Sequence, residues 1–238
     1  MKKQWVIPDI HGCCKTLISL VEKQIKPDRF DELYFLGDYI DRGPDSKGVI
    51  DYIMHLQAQE FSVRLLIGNH EDYCIKAFEE DQSKKSFLGF RTKNKIQSVW
   101  EIHGGKQTLA SFGVKFASEI PVKYIEWMKG LKYWLELEHH ILVHAGLNFK
   151  IEDPLNDKYA MLWTRDFKVV PEKIRNKTVI HGHVPVDLEF MNHVMENDSY
   201  NFIDLDNGVY MDDRPGYGNL VAYELNSKTQ AIQTNIDL

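Results

Sequence analysis

Short apolar runs punctuate the chain: "WVI" at 5 to 7, "LYFL" at 33 to 36, "RLLI" at 64 to 67, "ILV" at 141 to 143 and "TVI" at 178 to 180. Their length and β-branched or aromatic content predict buried strands. Between them the apolar spacing changes to that of a helix face, with Leu17, Leu20, Val21 and Ile25 after the first run and Val49, Ile50, Ile53, Met54 and Leu56 after the second. Strand followed by helix, repeated, predicts an α/β fold with a largely parallel sheet. Residues 81 to 131 break this rhythm with a polar basic stretch, the turn "HGG" at 103 to 105, and "IPVKYIEWMKGL", a helix opening near Pro121. This region reads as a helical insertion or cap on one domain spanning residues 1 to 238. From 199 onward, "NFIDLD" and "NLVAYEL" read as two strands of an antiparallel closing sheet, separated by a Gly-, Pro- and Asp-rich loop.

At 238 residues the chain is long enough to bury a substantial core. No window approaches eighteen apolar residues, and the three apolar residues before Asp9 are too few for a signal-peptide core, so the expectation is a cytoplasmic protein with no membrane partner. Twenty-nine basic against 35 acidic side chains give a net charge of −6, which argues against a nucleic-acid partner held through its phosphates. The exception is local: Lys84, Lys85, Arg91, Lys93 and Lys95 could attract an anionic substrate, although charge runs more often simply face water. Cys13, Cys14 and Cys74 have neither CxxC spacing nor the even count of a disulfide framework, and read as small buried side chains in a reducing compartment.

Candidate chemistry gathers just beyond the strands. The first run is followed by "PDIHG", the second by "GDYIDRG", the third by "GNHED", the fourth by "HAG" and the fifth by "HGHVP". In open α/β sheets functional groups collect beyond the carboxyl ends of strands. Five loops could therefore bring Asp9, His11, Asp38, Asn69, His144 and His183 together. Taken singly, each has an ordinary explanation as a turn or a hydrogen-bonded polar residue, but five strand ends of matching chemistry are hard to obtain by chance. Carboxylate, imidazole and amide oxygen without thiolate suit Mn, Fe or Zn. Extended geometry alone cannot choose between His181 and His183, which would point to the same side.

The blocks "DIHG", "GDYIDRGPDS", "GNHE", "VHAGL", "LWTRD" and "GHVP", with weaker matches in "HGGKQTLASFG" and "FIDLDNGVY", resemble the phosphoprotein phosphatase family of metallophosphoesterases, especially its compact bacterial and phage serine/threonine phosphatase branch. The resemblance implies two β-sheets flanked by helices as a four-layer α/β/β/α sandwich, with two divalent ions at one edge, Mn²⁺ first and Fe or Zn as alternatives. It implies Asp9, His11 and Asp38 on the first ion, and Asp38, Asn69, His144 and His183 on the second; the family's "GH" pattern selects His183. Pro8 replaces the glycine usual before the first aspartate. Pro185 stands where the wider superfamily often has another histidine.

Two ions roughly 3.5 to 4 Å apart can lower the pKa of a bridging water for direct in-line attack on phosphorus. Arg42 and Arg165 are the expected phosphate donors. His70 is the expected general acid, oriented by Asp41. Asp45 or Ser46 caps the helix before Val49, and Tyr217 is an aromatic candidate for lining the substrate pocket. The leading expectation is a metal-dependent phosphomonoester hydrolase acting on phosphoserine or phosphothreonine, and on phosphotyrosine if dual in specificity, with a phosphorylated protein or small phosphoester as partner. The alternatives are a diadenosine polyphosphate hydrolase, a polynucleotide phosphatase and a non-catalytic metal-binding scaffold. Asp41 leans toward the phosphatase.

Overall fold

The computed structural model describes residues 2–83, 92–197 and 199–238. Two mixed sheets form its centre. One is ordered β3-β2-β1-β8-β9, from Gln4–Ile7 (β1), Glu32–Phe35 (β2), Ser62–Leu65 (β3), Asn219–Glu224 (β8) and Thr229–Thr234 (β9). The other is ordered β4-β5-β6-β7, from Trp134–Glu136 (β4), His140–Val143 (β5), Thr178–His181 (β6) and Phe202–Asp204 (β7). Within them β1, β2 and β3 run parallel to one another, as do β5, β6 and β7.

The period-two alternation of a strand explains how the layers stack. Trp5 and Ile7 face the helices Cys14–Ser19 (α1) and Ser46–Ala58 (α2), in a core that also holds Leu17, Leu20, Val49 and Ile53. Val6, between them in sequence, points the other way and meets Leu142, Ile180 and Ile203 from the second sheet. Beyond that sheet, Ile141, Val143 and Val179 pack on Met161 of the helix Lys158–Trp163. Helices thus flank two sheets that pack face to face through the core of Val6, Leu142, Ile180 and Ile203.

The tail departs from expectation. "NFIDLD" and "NLVAYEL" do not pair: the first becomes β7, parallel to β6, whereas the second becomes β8, antiparallel to β1 in the other sheet. Alternating apolar residues specify a strand but not its neighbour. The pattern does not reveal β4 or β9: β4 is three residues long, and in β9 pairs of polar residues flank Ala231 and Ile232 with no apolar run. Asp45, not Ser46, caps α2, accepting from Gly48 N at 2.8 Å. Pro121 precedes the helix Val122–Lys129 as expected. Lys84, Lys85 and Arg91 lie outside the described residues, while Lys93 is paired with Glu101 at 2.6 Å. Among the described residues, no helix is long and apolar enough to cross a membrane.

Candidate metal centre

The carboxyl ends of β1, β2, β3, β5 and β6 converge as the spacing requires. The loop after β1 supplies Asp9 and His11, and that after β2 supplies Asp38. The first residue of the helix Asn69–Ser83 (α3) supplies Asn69, and the segments after β5 and β6 supply His144 and His183. Asp38 is central. It belongs to two groups able to hold a cation, His11 with Asp38 and His70, and Asp38 with His144 and His183. Its Oδ2 is 3.6 Å from His11 Nε2 and its Oδ1 is 3.5 Å from His144 Nε2. Asp9 adjoins them, its Oδ2 3.8 Å from His11 Nε2, and it accepts from the His183 backbone N–H at 3.2 Å.

Tight backbone turns make this convergence. His11, Asp38, Asp41, Arg42 and His183 all have left-handed φ values, of 46°, 52°, 74°, 67° and 75°. Such conformations cost free energy and persist where surrounding contacts enforce them. At Asp38 the enforcement is visible: Glu71 accepts from the backbone N–H groups of Asp38, Tyr39 and Gly68 at 2.9 Å each, and from that of Ile40 at 3.3 Å. Two glycines permit close approach, because a Cβ at Gly68 would collide with Asp38 Oδ1 and one at Gly182 with Asp9 Oδ1. The left-handed turn at His183 also separates it from His181. His181 packs on Phe167 and Phe202, and it is His183 that joins Asp38 and His144.

Hydrogen bonds fix the tautomers. His11 Nδ1 donates to Ile40 O and His144 Nδ1 donates to Leu36 O, both at 3.1 Å, which leaves each Nε2 as a lone-pair acceptor facing inward. Burial lowers the pKa of His11 and His144, and brings that of His183 to about 3, with the neighbouring His144 adding to it. Burial, with the charges of Asp206 and Asp38, raises that of Asp9. Burial also opposes ionisation of Asp38, but His144, His70, His11 and His183 surround it and hold its pKa well below the usual carboxylate range.

His144 Nε2 lies 2.9 Å from Asn69 Oδ1. Two acceptors at that separation repel unless both bind one cation. His183 Nδ1 is also 3.0 Å from Asn69 Oδ1, and this set of imidazoles, carboxylates and an amide oxygen fits divalent cations with nitrogen and oxygen preference.

The flanking residues are placed in two tiers. Asp41 Oδ2 is 2.6 Å from His70 Nδ1 and accepts from Trp100 Nε1 at 2.7 Å, while its Oδ1 accepts from the Thr108 hydroxyl at 2.5 Å. Burial lowers the pKa of His70, but the Asp38 charge and the Asp41 hydrogen bond outweigh it and the net shift is upward. Arg42 donates from Nη1 to His11 Nε2 at 2.7 Å and lies over the Tyr210 ring at 4.2 Å. Arg165, exposed just beyond the helix Lys158–Trp163, acts on His183 through its charge. Tyr217 lies under the Arg214 guanidinium at 4.1 Å. Cys13, Cys14 and Cys74 are buried, and burial raises the thiol pKa of Cys13 and Cys14 to about 12.

Sequence reasoning missed Tyr210 and Asp206. Asp206 is 1% exposed with Oδ2 unpartnered, and burial raises its pKa to about 7. A signal existed, since "FIDLD" is another apolar run ending in carboxylates. Reading that run as antiparallel put its end at the wrong edge.

The calcineurin-like phosphoesterase model matches residues 2–211. This chain belongs to that family. Within it, the chain is 39% identical over 160 residues to a symmetrical bis(5′-nucleosyl)-tetraphosphatase of Buchnera aphidicola subsp. Schizaphis graminum, covering 66% of this chain and 49% of that one. The chain thus spans about half the length of that relative. It is 27% identical over 222 residues to the asymmetrical bis(5′-nucleosyl)-tetraphosphatase PrpE of Oceanobacillus iheyensis, covering 82% of each. Among solved structures, a protein serine/threonine phosphatase of Saccharomyces cerevisiae superposes with a TM-score of 0.63 at 15% identity, covering 98% of this chain and 79% of that one. At that identity the likeness shows the fold. The His and Asp groups at this centre have the chemistry to hold divalent cations, as the family match leads one to expect.

Proposed function

We propose that this phosphoesterase hydrolyses dinucleoside polyphosphates, diadenosine tetraphosphate foremost. One observation carries that choice over the protein-phosphatase reading: the likeness to the asymmetrical tetraphosphatase extends over 82% of both chains. Asp9, His11 and Asp38 would hold one divalent ion, and Asp38, Asn69, His144 and His183 the other. Ions so placed supply an activated water and clamp the phosphoryl group for in-line displacement.

The chain's own residues do the rest. Ile40 O and Leu36 O keep the Nε2 lone pairs of His11 and His144 turned inward. Arg42, backed by the Tyr210 face, and Arg165 bind phosphoryl oxygens, where guanidinium offers paired N–H donors. His70 gives its Nε2 proton to the departing oxygen, and Asp41 stabilises the charged ring that carries it.

The His70 and Asp41 pair favours a second reading. A phosphate leaving group needs less help from an acid than the alkoxide of serine, so a well-built acid also suits a phosphoserine or phosphothreonine protein. Removing metal, restoring Mn²⁺ and measuring turnover of diadenosine tetraphosphate beside a phosphoserine peptide separates the two. Cleavage of the peptide alone would overturn the dinucleotide reading.

A further inference from the structure

Aromatic rings run outward from the metal centre in a connected series. The Trp163 ring lies 6.4 Å from that of His183, and Tyr73 meets Trp163 edge-on at 5.0 Å. Beyond Tyr73, His103 is nearly parallel to it, at 12° and 5.9 Å, and Tyr159 is nearly parallel to Trp163, at 26° and 6.3 Å. These separations are those of offset stacks, which leave part of each ring face uncovered. The series runs from the edge of the core to the surface: Tyr73 and Trp163 are half-buried and pack against the core, His103 is exposed and Tyr159 is 74% exposed.

The same rings adjoin the phosphate side of the site. Gly104, next to His103, is at φ 114° and accepts from the Arg42 backbone N–H at 3.3 Å; a Cβ there would lie 2.9 Å from Arg42 Cγ. The "HGG" turn is therefore pressed against the phosphate-binding arginine. It presents His103 one residue away. Tyr73, one turn into α3 from Asn69, completes the step. A ligand with its phosphoryl group at the metals and Arg42 would have its other end over these rings.

We propose that Tyr73, His103 and Trp163 form a platform on which a nucleobase of the substrate stacks. The inference rests on the dinucleoside polyphosphate reading for the identity of that substrate. Base on aromatic stacking is sequence-tolerant because every base has a π-face. The platform therefore accepts purines alike, so adenine and guanine dinucleotides should be turned over comparably.

Competitive inhibition of p-nitrophenyl phosphate hydrolysis by the Mn²⁺-loaded protein, with AMP and with ribose 5-phosphate, tests the platform. The two ligands differ only by the base. The wild-type protein should bind AMP about tenfold more tightly, equivalent to about 1.4 kcal/mol. Tyr73→Leu and His103→Ala should each shrink that ratio several-fold, and Tyr73→Phe should keep it. His103 is exposed, so its replacement tests the idea even if a Tyr73 variant folds poorly. Equal inhibition by the two ligands, or a ratio unmoved by both variants, would overturn the platform. No cleavage of diadenosine tetraphosphate, with the ratio intact, would overturn the substrate reading and leave the base site standing.

Discussion

Asp41 Oδ2 and His70 Nδ1 are 2.6 Å apart, and both side chains are at most 3% exposed. With Trp100 and Thr108 donating to the same carboxylate, Asp41 is held in one orientation and aims the ring. Asp41→Asn should leave metal content unchanged and lower turnover of an alkyl phosphate by about 10²-fold, in the range of general acid catalysis. The loss should be smaller for p-nitrophenyl phosphate, whose leaving group needs little protonation. Metal content by mass spectrometry and kcat on both substrates check this; equal losses would remove His70 from the role of acid.

Without cations, the centre sets Asp9, Asp38 and Asp206 against one another in a buried space. Divalent ions that bind only the folded state relieve that repulsion and stabilise it. Chelation should abolish activity, and Mn²⁺ at a hundredfold its Kd should raise Tm by about 5 °C or more, from ~2.7 kcal/mol of linkage. Asp38→Asn should remove most of that rise, because Asp38 belongs to both cation-binding groups. Calorimetric scans of the two proteins with and without Mn²⁺ give the answer.

Glu71 is a structural anchor for the metal loop. Glu71→Ala would strip acceptors from four buried backbone N–H groups, each costing about 1 to 3 kcal/mol when unsatisfied. The expected loss is about 3 kcal/mol or more, with weakened metal binding because Asp38 would lose its enforced turn. Glu71→Gln should cost less, since one amide oxygen remains. Urea unfolding with matched metal titrations measures both effects.

At the far end of β2, burial opposes ionisation of Glu32, but Tyr34, Gln4 and Lys2 hydrogen-bond to it and bring its pKa down to about 2. A carboxyl whose pKa is lowered by folding contributes stability that is present above its unfolded pKa of about 4.5 and lost as pH falls toward 2. Glu32→Gln should therefore lower the urea midpoint at pH 7, and the gap from wild type should narrow steadily below pH 4.5. A gap independent of pH would point to lost packing instead.

Much of the site was legible in the chain because chemistry and strand pattern coincide. "DIHG", "GDYIDRG", "GNHE" and "VHAG" each follow an apolar run, and a parallel strand delivers whatever follows it to one edge of the sheet. Asp9, His11, Asp38, Asn69 and His144 could be proposed as neighbours from that alone. Strand β7 shows the converse. Its residues read as a strand, but hydrophobic alternation does not name a partner, and the parallel pairing with β6 that brings Asp206 to the centre depends on contacts over long sequence separations.

By itself, then, the sequence determined the buried strands, the helices between them and the residue types gathered at the strand ends, because these depend on local period and local chemistry. Local geometry could not separate His181 from His183; the family resemblance pointed to His183, and the tertiary structure supplies the physical reason, a left-handed turn at His183 that brings it, and not His181, to Asp38 and His144. Only the tertiary structure set Tyr210 against Arg42, and joined Tyr73, His103 and Trp163 across three separate segments. Those outcomes depend on backbone reversals and on side chains meeting from distant parts of the chain, which no local pattern encodes.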